Sequence, residues 1–318
     1  MAQSVLSAQH FQDEVAAFAY VEAHLWPQGP FCPFCGEAEK IGRLNGKTTR
    51  PGLYKCYSCR KPFTVRIGTI FESSHLALHL WLQAIHLMCA SKKGIATRQL
   101  QRMLQCSMKT AWFLSHRIRE AMADTSGPLG GEGSTVEIDE TYVGGKAHNR
   151  HLGKRGGGAG REKLKAPVFA LVERGGKARA VHVPWVTGDN LTQALEMNAK
   201  AGTQIYSDEN HTTRFAARGF KSDSVNHKAG EYVRGDVYTN TVEGFFAIVK
   251  RGLTGVYHSV SDEHLDRYLS EYAFRYSNRS ALGVEDVERA QIALASARGK
   301  RLTYTTSNST KGARALTQ

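Results

Sequence analysis

The sequence predicts a multidomain α/β chain: a small cysteine-built ribbon near the N-terminus, a helical segment, and then a mixed α/β domain. Three observations predict it. Four of the six cysteines fall into two close pairs, Cys32 with Cys35 and Cys56 with Cys59. From His75 to Ala123 the apolar residues recur at helical spacing. Past Gly127-Pro128 and Gly130-Gly131 the pattern changes to short alternating runs interspersed with helices, which argues a mixed sheet. With 318 residues, 41% hydrophobic and 22% charged, the chain can bury a full core without disulfide staples and is not disordered. The boundaries read as an N-terminal helix over 1–28, the ribbon over 29–70, a helical region over 71–126, the α/β domain over 130–282, and a C-terminal helix with a basic tail over 283–318.

Residues 8–25 form an apolar-periodic helix. The cysteines that follow read C-x2-C…C-x2-C with twenty residues between the pairs, the spacing of a tetrahedral four-thiolate zinc site. Gly36, Gly46 and Pro51-Gly52 supply turns, and Leu53, Tyr54, Phe63 and Val65 suit short strands. A closed shell of four sulfurs leaves no open coordination position, so one structural Zn2+ on Cys32, Cys35, Cys56 and Cys59 is expected. Disulfides suit secreted chains, and a redox dithiol would use one pair. Cys89 and Cys106 sit in apolar helical contexts and read as small buried hydrophobes.

Residues 75–90 read as a buried helix, followed by helices over 94–105 and 107–123 that break at Gln105-Cys106, with Ser107 as N-cap. In the last of these Ala111, Leu114, Ile118 and Met122 form the apolar stripe, while Lys109, His116, Arg117 and Arg119 are polar or basic. Two short helices with a basic second one fit a helix-turn-helix that sets those four residues against DNA. The alternative is a plain helical bundle linking two domains.

Charge points the same way. The 42 Lys and Arg against 29 Asp and Glu leave a formal +13, which favours a polyanion partner, nucleic acid or an acidic membrane surface. No run reaches the roughly 20 apolar residues of a membrane span, and Met1 to Asp13 lacks a secretory-signal pattern. A membrane protein is thereby excluded, and a cytoplasmic location is expected. Up to residue 126 there are 15 basic and 8 acidic side chains, so the N-terminal part is the more densely basic. Lys146 to Lys165 carries seven cations, among them Lys146, Arg150, Lys154 and Arg155, against the single acid Glu162. That loop is placed to hold backbone phosphates. The tail from Ala297 is acid-free, and its Ser, Thr and Gly content reads as flexible.

In the second half, residues 136–143 alternate, with Val136 and Ile138 on one face and Glu137, Asp139 and Thr141 on the other. Glu140, one step along, is expected to point away from Asp139. Residues 167–172 and 178–185 read as strands, 191–200 as a helix, and 203–207 as a strand ending in Asp208. From Asn240 to Lys250, Val242, Phe245, Phe246 and Val249 make a helical stripe, and Glu243 and Lys250 share another face seven residues apart. Taken alone, Asp208 reads as a turn former or helix cap, and a capping box of Asn240 with Glu243 is a minor alternative that can coexist with a catalytic role for the acid.

The segments IDETYVGGK (138–146), IYSDEN (205–210), YTNTVEGFFAIVKRGLTGVYH (238–258) and HLDRYLSEYAFRYSNR (264–279) resemble the DDE transposases of insertion sequences. The match is to the zinc-ribbon-bearing insertion sequence 1595 family and runs from about residue 15 to 280. The resemblance implies an RNase H-like core that cuts and rejoins DNA at the ends of a mobile element. Its catalytic positions fall on Asp139, Asp208 and Glu243, its basic residue on Lys250, and Asn240 is a further candidate. One departure is visible: Tyr238-Thr239-Asn240 stands where relatives often read His-Thr-Asn. The chemistry agrees, since displacement at phosphorus is served by two hard cations roughly 3.5–4 Å apart on oxygen ligands. The expectation is two Mg2+ or Mn2+ ions, with Asp139 bridging both and Asp208 and Glu243 holding one each, while Lys250 and Arg251 contact DNA phosphate. The implied partners are double-stranded DNA, as terminal inverted repeats and target, and a second copy of the chain in a dimer or larger synaptic complex. Two other readings stand beside this one: a zinc-ribbon regulator that needs only the first half, and an RNase H-like nuclease that cuts without joining.

Overall fold

A computed structural model describes residues 3–144 and 165–303. Helix α1 spans Glu14–Leu25 and starts later than its apolar pattern, because single turns at Val5–Ser7 and Gln9–Phe11 precede it. Asp13 is extended there and accepts the Ala16 N–H at 2.8 Å, a side-chain cap that sets the start. The ribbon follows as an antiparallel sheet in the order β1 (Ile41–Arg43), β2 (Tyr54–Cys56), β3 (Pro62–Phe63). Its small core is Tyr54, Phe63, Cys32 and Cys56, with Trp26 packed against it.

Helices α2 (Leu78–Ala90), α3 (Thr97–Leu104) and α4 (Met108–Met122) come next. Helix α2 begins three residues after the expected His75, where Glu14 of α1 accepts the N–H groups of Leu78 (2.6 Å) and His79 (3.2 Å). A carboxylate at a helix N-terminus satisfies orphan donors and complements the dipole. Between α3 and α4 the chain turns at Gln105, which takes a left-handed φ of 50°, and Ser107 then caps α4 by accepting from Thr110 N. These helices bury Leu78, Trp81, Ile85, Leu114 and Ile118 in one core with Ala293 and Leu294 of α9 (Asp286–Ala295). Past α9 the chain stays docked. Gly299 donates to Gly68 O at 2.9 Å, and Lys300 Nζ reaches Ala121 O at 3.0 Å. Of the basic tail, the described residues 297–303 therefore close onto the helical region.

The α/β domain has a five-stranded sheet in the order β6-β5-β4-β7-β8: β4 (Thr135–Val143), β5 (Ala166–Glu173), β6 (Ala178–His182), β7 (Gln204–Ser207) and β8 (Lys221–Ser224). Strands β4, β5 and β6 are antiparallel neighbours, while β4, β7 and β8 run parallel. Strand β8 has no apolar alternation in its Lys-Ser-Asp-Ser sequence, and pairing with β7 alone makes it a strand. Both faces of β5 are buried, as expected for a strand covered by helices on each side. On one face Val136, Ile138, Phe169 and Leu171 pack with Leu191 and Leu195 of α5 (Gly188–Asn198). On the other, Val168, Ala170 and Val172 meet α7 (Asn240–Gly252) and α8 (Asp262–Ser277) through Phe245, Val249 and Leu269. The period of two thus puts Glu137 and Asp139 of β4 on the α7 face. A short α6 (His211–Ala216) follows β7. Among the described residues, no helix is long and apolar enough to cross a membrane.

Candidate active site and metal centre

Strands β4 and β7 pair in parallel with Thr135 opposite Gln204 and Glu137 opposite Tyr206. Two residues further on, at the same end of the sheet, stand Asp139 and Asp208. Helix α7 delivers the third acid, Glu243, in its first turn. That helix is anchored by an acid the sequence reading left unassigned. Glu137, fully buried, accepts the N–H groups of Thr241 (2.7 Å) and Val242 (3.1 Å) and the Thr241 hydroxyl (2.8 Å). Its Oε1 also takes Arg174 Nε at 2.7 Å, and the same guanidinium donates to Asp236 O (2.7 Å) and Tyr238 O (2.9 Å). The guanidinium lies 3.5 Å from the centre of the Tyr238 ring. The alternative account, in which Asn240 caps α7, does not hold. Asn240 is the first helical residue and is exposed, Thr239 is the N-cap without a side-chain bond to the helix N–H groups, and Glu137 satisfies those donors from another strand.

Asp139 sits in a field of like charge. Burial, then Asp208, Glu140 and Glu243, push its carboxyl up to about 8, opposed by the Glu140 N–H that it accepts at 2.8 Å. Asp208 is oriented by Asn210 N (3.1 Å) and the Thr213 hydroxyl (3.0 Å). Glu243 is half exposed at its carboxylate, accepts the Thr239 hydroxyl at 3.2 Å, and lies 3.8 Å from His227 Nδ1. The placement of Glu140 is also a correction. It does not point clear of the site: Asn210, two residues after Asp208, donates its side-chain amide to Glu140 Oε1, and burial followed by Asp208 raises the Glu140 carboxyl to about 7. The turn after β7 folds back over β4, which strand alternation alone does not reveal. Among the described residues, Glu140 Oε2 is buried without a hydrogen-bond partner. Crowded carboxylates with an unsatisfied oxygen, whose burial and mutual repulsion raise their pKa values, fit hard, oxygen-ligated cations, whose positive charge would relieve the repulsion.

The cysteine site is closed. The four sulfurs of Cys32, Cys35, Cys56 and Cys59 lie within 4.8 Å of one another, with Cys32 Sγ to Cys59 Sγ at 3.6 Å and Cys35 Sγ to Cys56 Sγ at 3.7 Å. Tetrahedral zinc–thiolate bonds of about 2.3 Å require sulfur separations of about 3.8 Å, so the residues fit Zn2+. Among the described residues this is the one group of three or more such ligands drawn so close; the three acids do not reach that spread.

Residues 12–62 match the transposase zinc-ribbon domain, and residues 128–277 match the ISXO2-like transposase domain. A protein of Halobacterium salinarum, described as an uncharacterized protein in transposable element ISH50, is 31% identical over 264 residues, which are 79% of this chain and 86% of that relative. The chain belongs to the insertion sequence 1595 family of transposases. Among solved structures, a chain of the simian T-cell lymphotropic virus intasome in complex with PP2A regulatory subunit B56 gamma is similar at a TM-score of 0.27 and 12% identity. That likeness spans 55% of this chain and 63% of the other.

The remaining expected contacts of the transposase divide by exposure. Lys250 and Arg251 are exposed in the last turn of α7, and Lys109 is exposed in the first turn of α4. His116, Arg117 and Arg119 are corrected: all three are buried, so none is available to DNA. Helix α4 packs chiefly against α3 and α8, and Met108 and Lys109 in its first turn are exposed. Arg119 Nε pairs with Glu271 of α8 at 2.6 Å, both side chains fully buried, and Arg117 donates to Glu72 O. His116 lies against Trp112, His264 and Tyr268. Lys146, Arg150, Lys154 and Arg155 lie outside the described residues. Glu137, Arg174 and His227 were missed. For Glu137 a signal existed, an acid at a buried strand position on the Asp139 face; for Arg174 and His227 none did.

Proposed function

We infer that the protein is an insertion-sequence transposase that binds the terminal inverted repeats of its element and catalyses metal-dependent cleavage and joining of DNA. The observation that carries this is the Asp139 carboxyl, set beside Asp208 and within the field of Glu243, three acids brought together from β4, β7 and α7. The mixed sheet, with the first acid on its central strand and the second at the end of the parallel neighbour, supports an RNase H-like core. Asp139, Asp208 and Glu243 would hold two Mg2+ or Mn2+ ions, which when bound supply stabilisation of the attacking and leaving oxygens at phosphorus. Glu137 and Arg174 keep α7 at the distance the sheet dictates, and so orient Glu243. Lys250 and Arg251, exposed on the same helix, contact backbone phosphate; Asn240 is exposed one turn before Glu243 and is kept as a positioning candidate.

Helices α3 and α4 support a helix-turn-helix reader in a revised form. No acid occurs between Glu72 and Glu120, and Lys92, Lys93, Arg98, Arg102 and Lys109 are exposed. In that motif the first turn of the second helix meets base edges while the first helix crosses the backbone, which suits Lys109 and Arg98 with Arg102. Joining two element ends calls for a dimer or larger assembly.

The test is cleavage and joining of terminal-repeat DNA with Mg2+ or Mn2+. Asp139→Asn, Asp208→Asn and Glu243→Gln should each abolish both steps while DNA binding stays near wild type; Lys250→Ala should be milder. A folded Asp208→Asn protein that joins ends at the wild-type rate overturns the reading. Cleavage without joining by the wild type would leave the nuclease alternative.

A further inference from the structure

Behind α7, on the side away from Glu243 and Lys250, a cavity of about 380 Å3 opens between the end of α2, Ile248 of α7, the last turns of α8, and α9. Four cations line it, Lys92, Arg275, Arg279 and Arg289, against one acid, Asp286. Asp286 is already paired with Arg289 at 2.6 Å, and that guanidinium also donates to the carbonyls of Cys89, Asn278 and Val284. Behind the wall, Glu271 serves both Arg275 and Arg119. Among these five cations the two carboxylates pair with three, Arg289, Arg275 and Arg119, and with neither Arg279 nor Lys92.

Arg275 makes the excess specific. It is 8% exposed, and Nη1 alone is engaged, with Glu271 and with Met88 O at 3.3 Å. Its Nε and Nη2 are buried with no hydrogen-bond partner among the described residues, and the guanidinium lies over the Tyr272 ring at 4.8 Å. Buried charged donors left unpaired are costly, and native structures rarely keep them. Arg279 leans over the Tyr276 ring at 4.1 Å and spends Nη1 on two carbonyls, and Lys92 is exposed at the rim. Guanidinium groups with an adjoining ammonium, in a half-enclosed site, match the charge and geometry of a phosphate group.

We propose that this cavity is a phosphate-binding site separate from the acid cluster, formed by Arg275, Arg279 and Lys92. The phosphate belongs to a DNA backbone, because Lys92 continues the acid-free surface of Lys93, Arg98 and Arg102; that assignment of source rests on the proposed function, whereas the site itself does not.

The full-length protein is titrated with inorganic phosphate at constant ionic strength, by calorimetry and by thermal shift. Saturable binding is expected, about tenfold weaker in Arg279→Gln and in Lys92→Gln, the loss of one charge-assisted hydrogen bond. Lys200→Gln, exposed at the far side of the domain, should bind as wild type. Lys92 is a rim residue, so its substitution carries the test even if Arg279→Gln fails to fold. No phosphate binding, or binding unaltered in Lys92→Gln, overturns the site. A short duplex without terminal-repeat sequence should displace the phosphate. If it does not, the DNA source is overturned and a free phosphorylated molecule takes its place. Asp208→Asn should keep phosphate binding, so failure of the catalytic reading and failure of this site are told apart.

Discussion

The carboxylate of Glu137 accepts the backbone N–H of Thr241 at 2.7 Å, bridging 104 residues of sequence. Through that contact a single strand, β4, carries Asp139 and also fixes the start of the helix that bears Glu243. The arrangement ties the first acid to the third without either touching the other. Replacing Glu137 by alanine would leave the Arg174 guanidinium without its acid and the first N–H groups of α7 without an acceptor. Breaking a buried ion pair of this kind costs about 3–5 kcal/mol. Chemical denaturation of Glu137→Ala should register a loss in that range; a loss under about 1 kcal/mol would mean that water replaces the carboxylate and α7 is held by packing alone.

One zinc ion per chain is expected on metal analysis. Cys56→Ser, or strong chelation, should unfold the ribbon, because its core of Tyr54 and Phe63 is too small to stand without the ion. Metal binding in such ribbons supplies about 10–16 kcal/mol of folding free energy. Trp26 packs edge-on to Tyr54 and Phe63 at 5.5 and 5.9 Å, so its fluorescence reports the event. The change should vanish in Trp26→Phe. A metal-free protein with unchanged Trp26 emission would remove the zinc assignment.

The exposed cations of α3 and α4 should govern DNA affinity. Lys109→Ala and Arg102→Ala are each expected to weaken duplex binding and to reduce the slope of log affinity against log salt by about one. His116→Phe, at a buried position, should leave both unchanged. Equal losses in all three variants would point to a folding defect and away from the revised surface.

His116 predicts an acid limb in stability. Burial first, then Arg119 and His264, lower its pKa from 6.5 to about 3. Below pH 6.5 the unfolded chain takes up a proton that the folded chain refuses. The contribution is therefore fully present above pH 6.5 and is lost progressively toward about pH 3, by up to about 1.4 kcal/mol per unit. Because the raised carboxyls of Asp139 and Glu140 titrate with the opposite sign in both proteins, the readout is the difference: in urea unfolding from pH 6.5 to 5 the wild type should lose stability relative to His116→Phe as the pH falls. Parallel slopes would show that another group sets the limb.

The sequence by itself determined the elements whose chemistry is local. Two cysteine pairs at ribbon spacing needed only a hairpin to bring four sulfurs together, and the sulfurs lie 3.6 and 3.7 Å apart across the pairs. Alternation along β4 determined which face Asp139 takes, and the stripe from Val242 to Val249 determined which face of α7 is buried. Ser107 capped α4 where its type and position said it would. Only the tertiary structure decided the rest, because the deciding partners are far apart in the chain. Helix α4 has a basic side by sequence, yet Arg119 finds Glu271, 152 residues away, and an arginine paired in the interior cannot be told from one facing DNA by periodicity. The capping-box alternative at Asn240 was local, but the first N–H groups of α7 are met by Glu137, a buried carboxylate of β4 held by Arg174, while Asn240 is itself exposed as the first helical residue. Glu140 obeyed strand alternation and still joined the acid cluster, because the turn after Asp208 folds over the strand and brings Asn210 to it. Period and spacing fix where a side chain points from its own backbone; which charge it meets there depends on the packing of distant elements.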